Sequence, residues 1–160
     1  MQRTIAIVGA TNAEGTRLVT KLAEAGNRLL LLGAGFEEMQ ALTERINQRF
    51  PAADTEALAC TKDGCWEADI IILGNEALND DTAAANIKDV ATRKIVALCS
   101  SNDNVVIQHG FLYPNSRLLS VSLDENNNDV MIAGEDEEAL REISEMLCGA
   151  GYSVAVENFN

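Results

Sequence analysis

A single histidine, His109, stands in the 160-residue chain, so a Ser/His/Asp triad uses that residue or does not exist. It sits in Gln108-His109-Gly110, which reads as a surface loop. Cations are scarce too: 12 Lys and Arg stand against 25 Asp and Glu, for a formal charge of −13. That balance repels polyphosphate backbones and anionic headgroups, and argues against nucleic acid or membrane as partners. No apolar run approaches the roughly 20 residues that span a bilayer. The opening stretch Ile5-Ala-Ile-Val8 is too short for a signal peptide, so a cytoplasmic protein is expected. The four cysteines (Cys60, Cys65, Cys99 and Cys148) form neither a C-x-x-C pair nor a Cys/His metal pattern. They read as buried free thiols, and no metal site is expected.

What the chain does have is an ordinary globular composition, 47% hydrophobic and 23% charged. Its length suits one domain, residues 1–160, that buries roughly 70% of its unfolded surface. No repeat, low-complexity tract or separating linker interrupts it. Apolar runs alternate with helical periodicity, the pattern of βαβ units and a parallel sheet. The spacing predicts strands at Thr4 to Val8, Leu29 to Leu32, Thr55 to Cys60, Asp69 to Leu73 and Lys94 to Cys99. Helices are predicted at Ala13 to Ala25, Glu37 to Arg49 and Asp80 to Ala91. Past Asn104 the pieces shorten: strands at Arg117 to Ser122 and Val130 to Ala133 flank an Asn-rich turn short enough for antiparallel pairing. Glu135 to Leu147 then reads as a helix with four acidic residues opening it, and Tyr152 to Val156 as a last strand. The fold class is therefore α/β, a doubly wound, mainly parallel sheet of about eight strands with helices on both faces.

Gly9-Ala-Thr-Asn12-Ala-Glu-Gly15 lies between the first strand and first helix, where a dinucleotide-binding fold places its phosphate loop. In G-x-G-x-x-G the glycines permit a tight turn, backbone approach to a pyrophosphate, and close helix packing. With Gly15 as the third glycine, the first two positions hold Ala10 and Asn12. Asn12 puts a side chain where phosphate meets backbone, and Glu14 puts a carboxylate in the helical turn that attracts anions. Ligands of open α/β sheets collect beyond the carboxyl ends of the strands. The candidate cofactor-binding residues are accordingly Gly9, Ala10, Thr11, Asn12, Ala13 and Gly15, with Gly33, Ala34, Gly74, Asn75 and Ser100 at later strand ends. No catalytic residue is singled out: hydride transfer needs positioning and a dry pocket more than a protein acid or base. The second strand ends in Gly33-Ala34-Gly35, which carries neither the acid that receives a ribose 2′-hydroxyl nor an arginine for a 2′-phosphate.

Ile5 to Gly15, Ala68 to Leu73, Arg93 to Leu98 and Asp129 to Ala139 together resemble the deazaflavin (coenzyme F-420)-dependent NADP oxidoreductases. The resemblance covers nearly the whole chain and implies a Rossmann domain with NADP as cofactor. Hydride would pass between nicotinamide and a deazaflavin or small-molecule redox partner. In that family the loop reads G-G-T-G-N-L-G, matched here by Gly9, Thr11 and Gly15; its Ser-Arg pair aligns with Ala34 and Gly35. Relatives continue into C-terminal helices, so a homodimer is expected to cover apolar surface on this shorter chain. NAD stays open as the cofactor. A second family, the short-chain dehydrogenases, is approached by the Gly9 to Gly15 segment, but their Tyr-x-x-x-Lys pair finds only Tyr113-Pro-Asn-Ser-Arg117, where Pro114 opposes a helix. The alternative to an oxidoreductase is a binding or interaction module that has lost the dinucleotide.

Overall fold

The computed structural model describes residues 2–9, 12–33, 35–100, 105–124 and 126–158. The chain begins β1 (Thr4–Val8), α1 (Ala13–Glu24), β2 (Arg28–Leu32), α2 (Phe36–Arg49) and β3 (Asp54–Ala57). It continues α3 (Thr61–Glu67), β4 (Ile70–Leu73), α4 (Asn75–Leu78), α5 (Asp81–Lys88) and β5 (Ile95–Cys99). The last third is α6 (Val105–His109), a 3-10 turn (Gly110–Leu112), β6 (Arg117–Leu123), β7 (Asp129–Gly134), α7 (Glu137–Gly149) and β8 (Ser153–Asn158).

The eight strands form one sheet in the order β3-β2-β1-β4-β5-β6-β7-β8. Every pairing is parallel except β6 with β7, which run antiparallel through the Asn-rich turn. Central strands bury both faces, which is why β2 and β4 read as unbroken apolar runs. Ile5, Ile7, Ile70 and Ile72 pack under α1, α2 and α7; Ala6, Val8, Ile71 and Leu73 pack on the other face against Cys65, Ala77 and Ile87 of α3, α4 and α5. This is a Rossmann-like doubly wound sheet with helices on both faces.

Several local expectations are corrected. The strand expected at Thr55 to Cys60 stops at Ala57, and Cys60 instead precedes α3, a helix of only seven residues with Gly64 and Cys65 buried. A Cβ at Gly64 would lie 2.6 Å from Leu32 Cδ2, so the missing side chain is what brings α3 down onto β2. Directly after β4, Gly74 caps α4 and Asn75 begins it, and His109 ends α6, half-buried, instead of lying in a surface loop. Of the cysteines only Cys65 is fully buried; Cys99 is half-buried, and Cys60 and Cys148 are exposed. Among the described residues no helix is long and apolar enough to cross a membrane.

The acidic run expected to open α7 begins later. Glu135 lies outside the helix, and Asp136 is its cap, accepting from the Ala139 N–H at 3.0 Å. The same carboxylate receives Arg117 Nε at 2.8 Å and Nη2 at 3.3 Å, which ties α7 to the start of β6. The Arg117 bond first, and the Ala139 bond next, pull the Asp136 pKa down to about 2. A folded-state pKa below the unfolded value of about 4 stabilises the fold above that value and loses its effect as pH falls toward 2. Asp136→Ala is expected to cost about 1 kcal/mol at pH 7, chiefly through the lost cap. In urea titrations the gap from wild type should close between about pH 4 and pH 2; a gap independent of pH would contradict the assignment.

Candidate functional site

Three strand ends meet backbone to backbone. The Gly9 N–H donates to the Leu32 carbonyl at 3.0 Å, and the Gly74 N–H to the Val8 carbonyl at 2.8 Å. A Cβ on Gly74 would stand 2.5 Å from the Gly9 carbonyl oxygen, and one on Gly33 3.0 Å from the Gly9 nitrogen. Gly9 itself has φ +73°, and a Cβ there would reach within 2.9 Å of the Ala77 nitrogen. Only glycine meets both demands at position 9. Beside this junction, where the crossovers from β1 and β4 leave for opposite faces, an open α/β sheet forms its crevice.

A cleft of about 730 Å³ opens there. Ile7, Leu18, Ile72 and Val121 give it an apolar lining, the loop and first turn of α1 form one wall, and Leu123, Asp124 and Asn126 stand at the end of β6. Among the residues singled out from sequence, it brings together Gly9, Asn12, Ala13, Gly15, Gly74 and Ser100. Gly33 is spent on packing against Gly9 and does not line the cleft; Asn75 begins α4. Ala10, Thr11 and Ala34 lie outside the described residues. Arg17, Asp124 and Asn126 were missed. Asp124 follows directly on an apolar strand, and the strand-end rule reaches it once β6 is known to run parallel beside β5.

The loop is held by its own side chain. Asn12 has extended backbone, its carbonyl accepts from the Thr16 N–H at 2.9 Å, and its Oδ1 accepts from the Gly15 N–H at 2.7 Å. Such a cap satisfies an amide that an anion would otherwise take. Among the described residues, the charges lining the cleft are Glu14 and Asp124 against Arg17. Asp124 accepts from the Asn126 N–H at 2.9 Å and Asn127 Nδ2 at 3.2 Å, and these bonds hold its pKa below the ordinary value. Burial pushes the Cys99 thiol up to about 12, with the Glu14 charge adding to it. Burial also raises Tyr152 to about 12, while Arg17 acts the other way. At neutral pH the cleft thus holds a protonated thiol and an ionised Asp124.

Neither alternative chemistry is assembled. Tyr113 is buried at the end of the 3-10 turn and Arg117 starts β6 paired to Asp136, so no helical Tyr/Arg dyad exists. Among the described residues no three His, Cys, Asp or Glu side chains are grouped to hold a metal. Trp66 is 72% exposed on α3, on the sheet face opposite α1, and so is a poor reporter of the cleft.

Gly74→Ala is expected to destabilise the fold by about 1–3 kcal/mol, because its neighbour is backbone and cannot swing aside. Gly149→Ala, which meets no atom within 4 Å, should be neutral or stabilising. Equal urea midpoints for the two variants would contradict the close junction. In native protein at pH 8, iodoacetamide should label Cys60 and Cys148 and spare Cys65 and Cys99, both raised to about 12; peptide mapping reads this directly.

No family model matches the chain, and no curated protein matches its sequence. Solved structures do. The chain is similar to (S)-3-hydroxybutyryl-CoA dehydrogenase from Ralstonia eutropha, with TM-score 0.75, 14% identity, and coverage of 99% of this chain and 64% of that one. UDP-glucose dehydrogenase from Pyrobaculum islandicum gives TM-score 0.75 and 12% identity over 99% of this chain and 46% of that one. A candidate F-420-dependent NADP-reductase from Arthrobacter gives 0.73 and 14% over 97% and 84%. The chain therefore spans less than two thirds of the length of the first two. At these identities what the proteins share with it is the Rossmann-like fold.

Proposed function

We propose that the protein is a nicotinamide dinucleotide-linked, oxidoreductase-like module, with the nicotinamide end of the cofactor in the cleft beyond β1, β4 and β5. The observation that carries this reading is the cleft itself, at the switch point and beside a glycine junction whose missing side chains let the strand ends pack backbone to backbone. The solved structures named above support it, since they include two dehydrogenases and an NADP-reductase candidate.

The missing side chains suit a close-lying cofactor, while Asn12, Glu14 and Asp124 oppose it, the first by occupying an amide and the others by their charge. Gly9, Ala13, Gly15 and Gly74 would hold the group, and Ser100 stands where a polar contact to a carboxamide is useful. Asn12 must give up its bond to Gly15 before a pyrophosphate can take that amide. A bound nicotinamide would supply the hydride chemistry. The protein's part is to orient and to exclude water: Ile7, Ile72 and Val121 give an apolar lining, and Cys99 stays neutral beside it. NADP is the dinucleotide the family resemblance suggests, and a deazaflavin or another small molecule the redox partner. The end of β2 adds no charged side chain of its own to decide against NAD.

A second reading, a binding module without dinucleotide, is favoured by the Asn12 cap together with Glu14 and Asp124 in the cleft. Calorimetric titration with NADPH, NADP and NAD, supported by NADPH fluorescence, separates the two. Binding by wild type is expected, tightening about three- to tenfold in Asn12→Gly as the competing cap is removed. No heat at millimolar cofactor with either protein would overturn the first reading and leave the second.

A further inference from the structure

At the opposite end of the sheet, where β1, β4, β5 and β6 begin, lies a second hollow of about 590 Å³. Arg3, Arg93, Lys94, Arg117 and Arg141 line it, five of the 12 Lys and Arg residues in a chain of charge −13. Four carboxylates line it as well, and each is engaged. Glu142 and Glu145 take Arg3 at 3.9 and 3.7 Å, and Glu138 takes Arg117 at 3.7 Å. Asp69 accepts from the Thr4 N–H at 3.3 Å and faces the Lys94 charge. Lys94 in turn donates to the carbonyls of Cys65, at 2.6 Å, and Trp66, closing the end of α3. The guanidinium groups of Arg93 and Arg141 are left, both exposed and with no carboxylate within ion-pair distance among the described residues.

Arg93 adds an independent observation. It is the one non-glycine residue with positive φ, +66°, among the described residues. Its N–H is held by the Asn115 carbonyl at 2.8 Å, while the Arg117 N–H is held by the Lys94 carbonyl at 2.8 Å, so the turn is pinned on both sides. Glycine adopts that conformation without penalty and arginine does not. A long cationic side chain at a strained turn beside a hollow points toward a ligand.

We propose that this hollow is an anion site, with Arg93 and Arg141 clamping a compact polyanion that carries phosphate or carboxylate groups. Two guanidinium forks suit bidentate contact to either oxyanion. The flanking carboxylates disfavour a long polyanion such as nucleic acid, because its charge would run past the clamp onto Glu138, Glu142 and Glu145. The volume is that of a small-molecule site. The proposal is independent of the cofactor reading, which concerns the other end of the strands.

The test measures melting temperature and calorimetric affinity with pyrophosphate and with citrate, against sodium chloride at matched ionic strength. Wild type and Arg45→Ala, an exposed arginine on α2 away from the hollow, should bind and be stabilised alike. Arg93→Gly and Arg141→Ala should each bind about tenfold more weakly, and the double variant should lose the stabilisation. Arg93→Gly should nonetheless melt at or above wild type without anion, since it relieves the strained turn; this separates a lost clamp from a damaged fold. Response to pyrophosphate alone assigns a phosphate ligand, response to citrate alone a carboxylate. No shift beyond chloride overturns the proposal. So does a pyrophosphate response that persists in the double variant, which would belong to the cleft.

Discussion

The close approach of backbone to backbone at Gly9, Gly33 and Gly74 is the constraint on which the architecture of the site depends. A strand end normally carries a side chain that holds its neighbour at a distance. Here the Gly9 amide bonds directly to the end of β2 and the Gly74 amide to the end of β1, and a methyl group on Gly74 would overlap the Gly9 carbonyl. The junction levels the carboxyl ends of β1, β2 and β4. From there α1 turns to one face and α4 with α5 to the other. The gap between the departing crossovers stays open, and β5 and β6 extend it into a cleft.

The same helix terminus that makes such a crevice useful for anions is satisfied from within. A free N–H at the start of α1 can bond a phosphate or the Asn12 carboxamide, but not both, and the carboxamide holds the Gly15 amide at 2.7 Å. With Glu14 and Asp124 against Arg17 among the described residues, the cleft joins an apolar lining to walls that do not attract an anion. The far end of the strands is different. There the ion pairs among Arg3, Arg117 and the α7 glutamates cancel, and two arginines remain. A chain whose overall charge repels anions thus gathers nearly half its cations at one place.

Much of the fold was legible because parallel strands covered on both faces have to be apolar throughout. Ile70 to Leu73 and Leu29 to Leu32 announce themselves for that reason. The helices α3, α4 and α6 did not, since four to seven residues give too few buried positions for a period to emerge. Asp136 illustrates a finer limit: four acidic residues in a row look alike, and only the positions of Ala139 and Arg117 select which one caps. Cys60 and Cys148 were misjudged because composition favours burial for a thiol, whereas one precedes α3 and the other lies on the outer side of α7. At the candidate site the strand-end rule reached Gly9, Asn12, Ala13, Gly15, Gly74 and Ser100. It did not reach Arg17, Asp124 or Asn126, which depend on how α1 and β6 are placed around the cleft.

The sequence by itself determined the alternation of strand and helix, the doubly wound class, the location of the first loop and the chain's acidity. These are local or additive properties, written in the period of apolar residues and in counts of charge. Tertiary structure alone decided the strand order, the withdrawal of Gly33 into packing, the turning of Asn12 onto Gly15, and the lining of one hollow by Arg93 and Arg141, 48 positions apart in the chain. Those outcomes are set by which distant segments become neighbours. That choice is made by the collective burial of both sheet faces, and no short window of residues contains it.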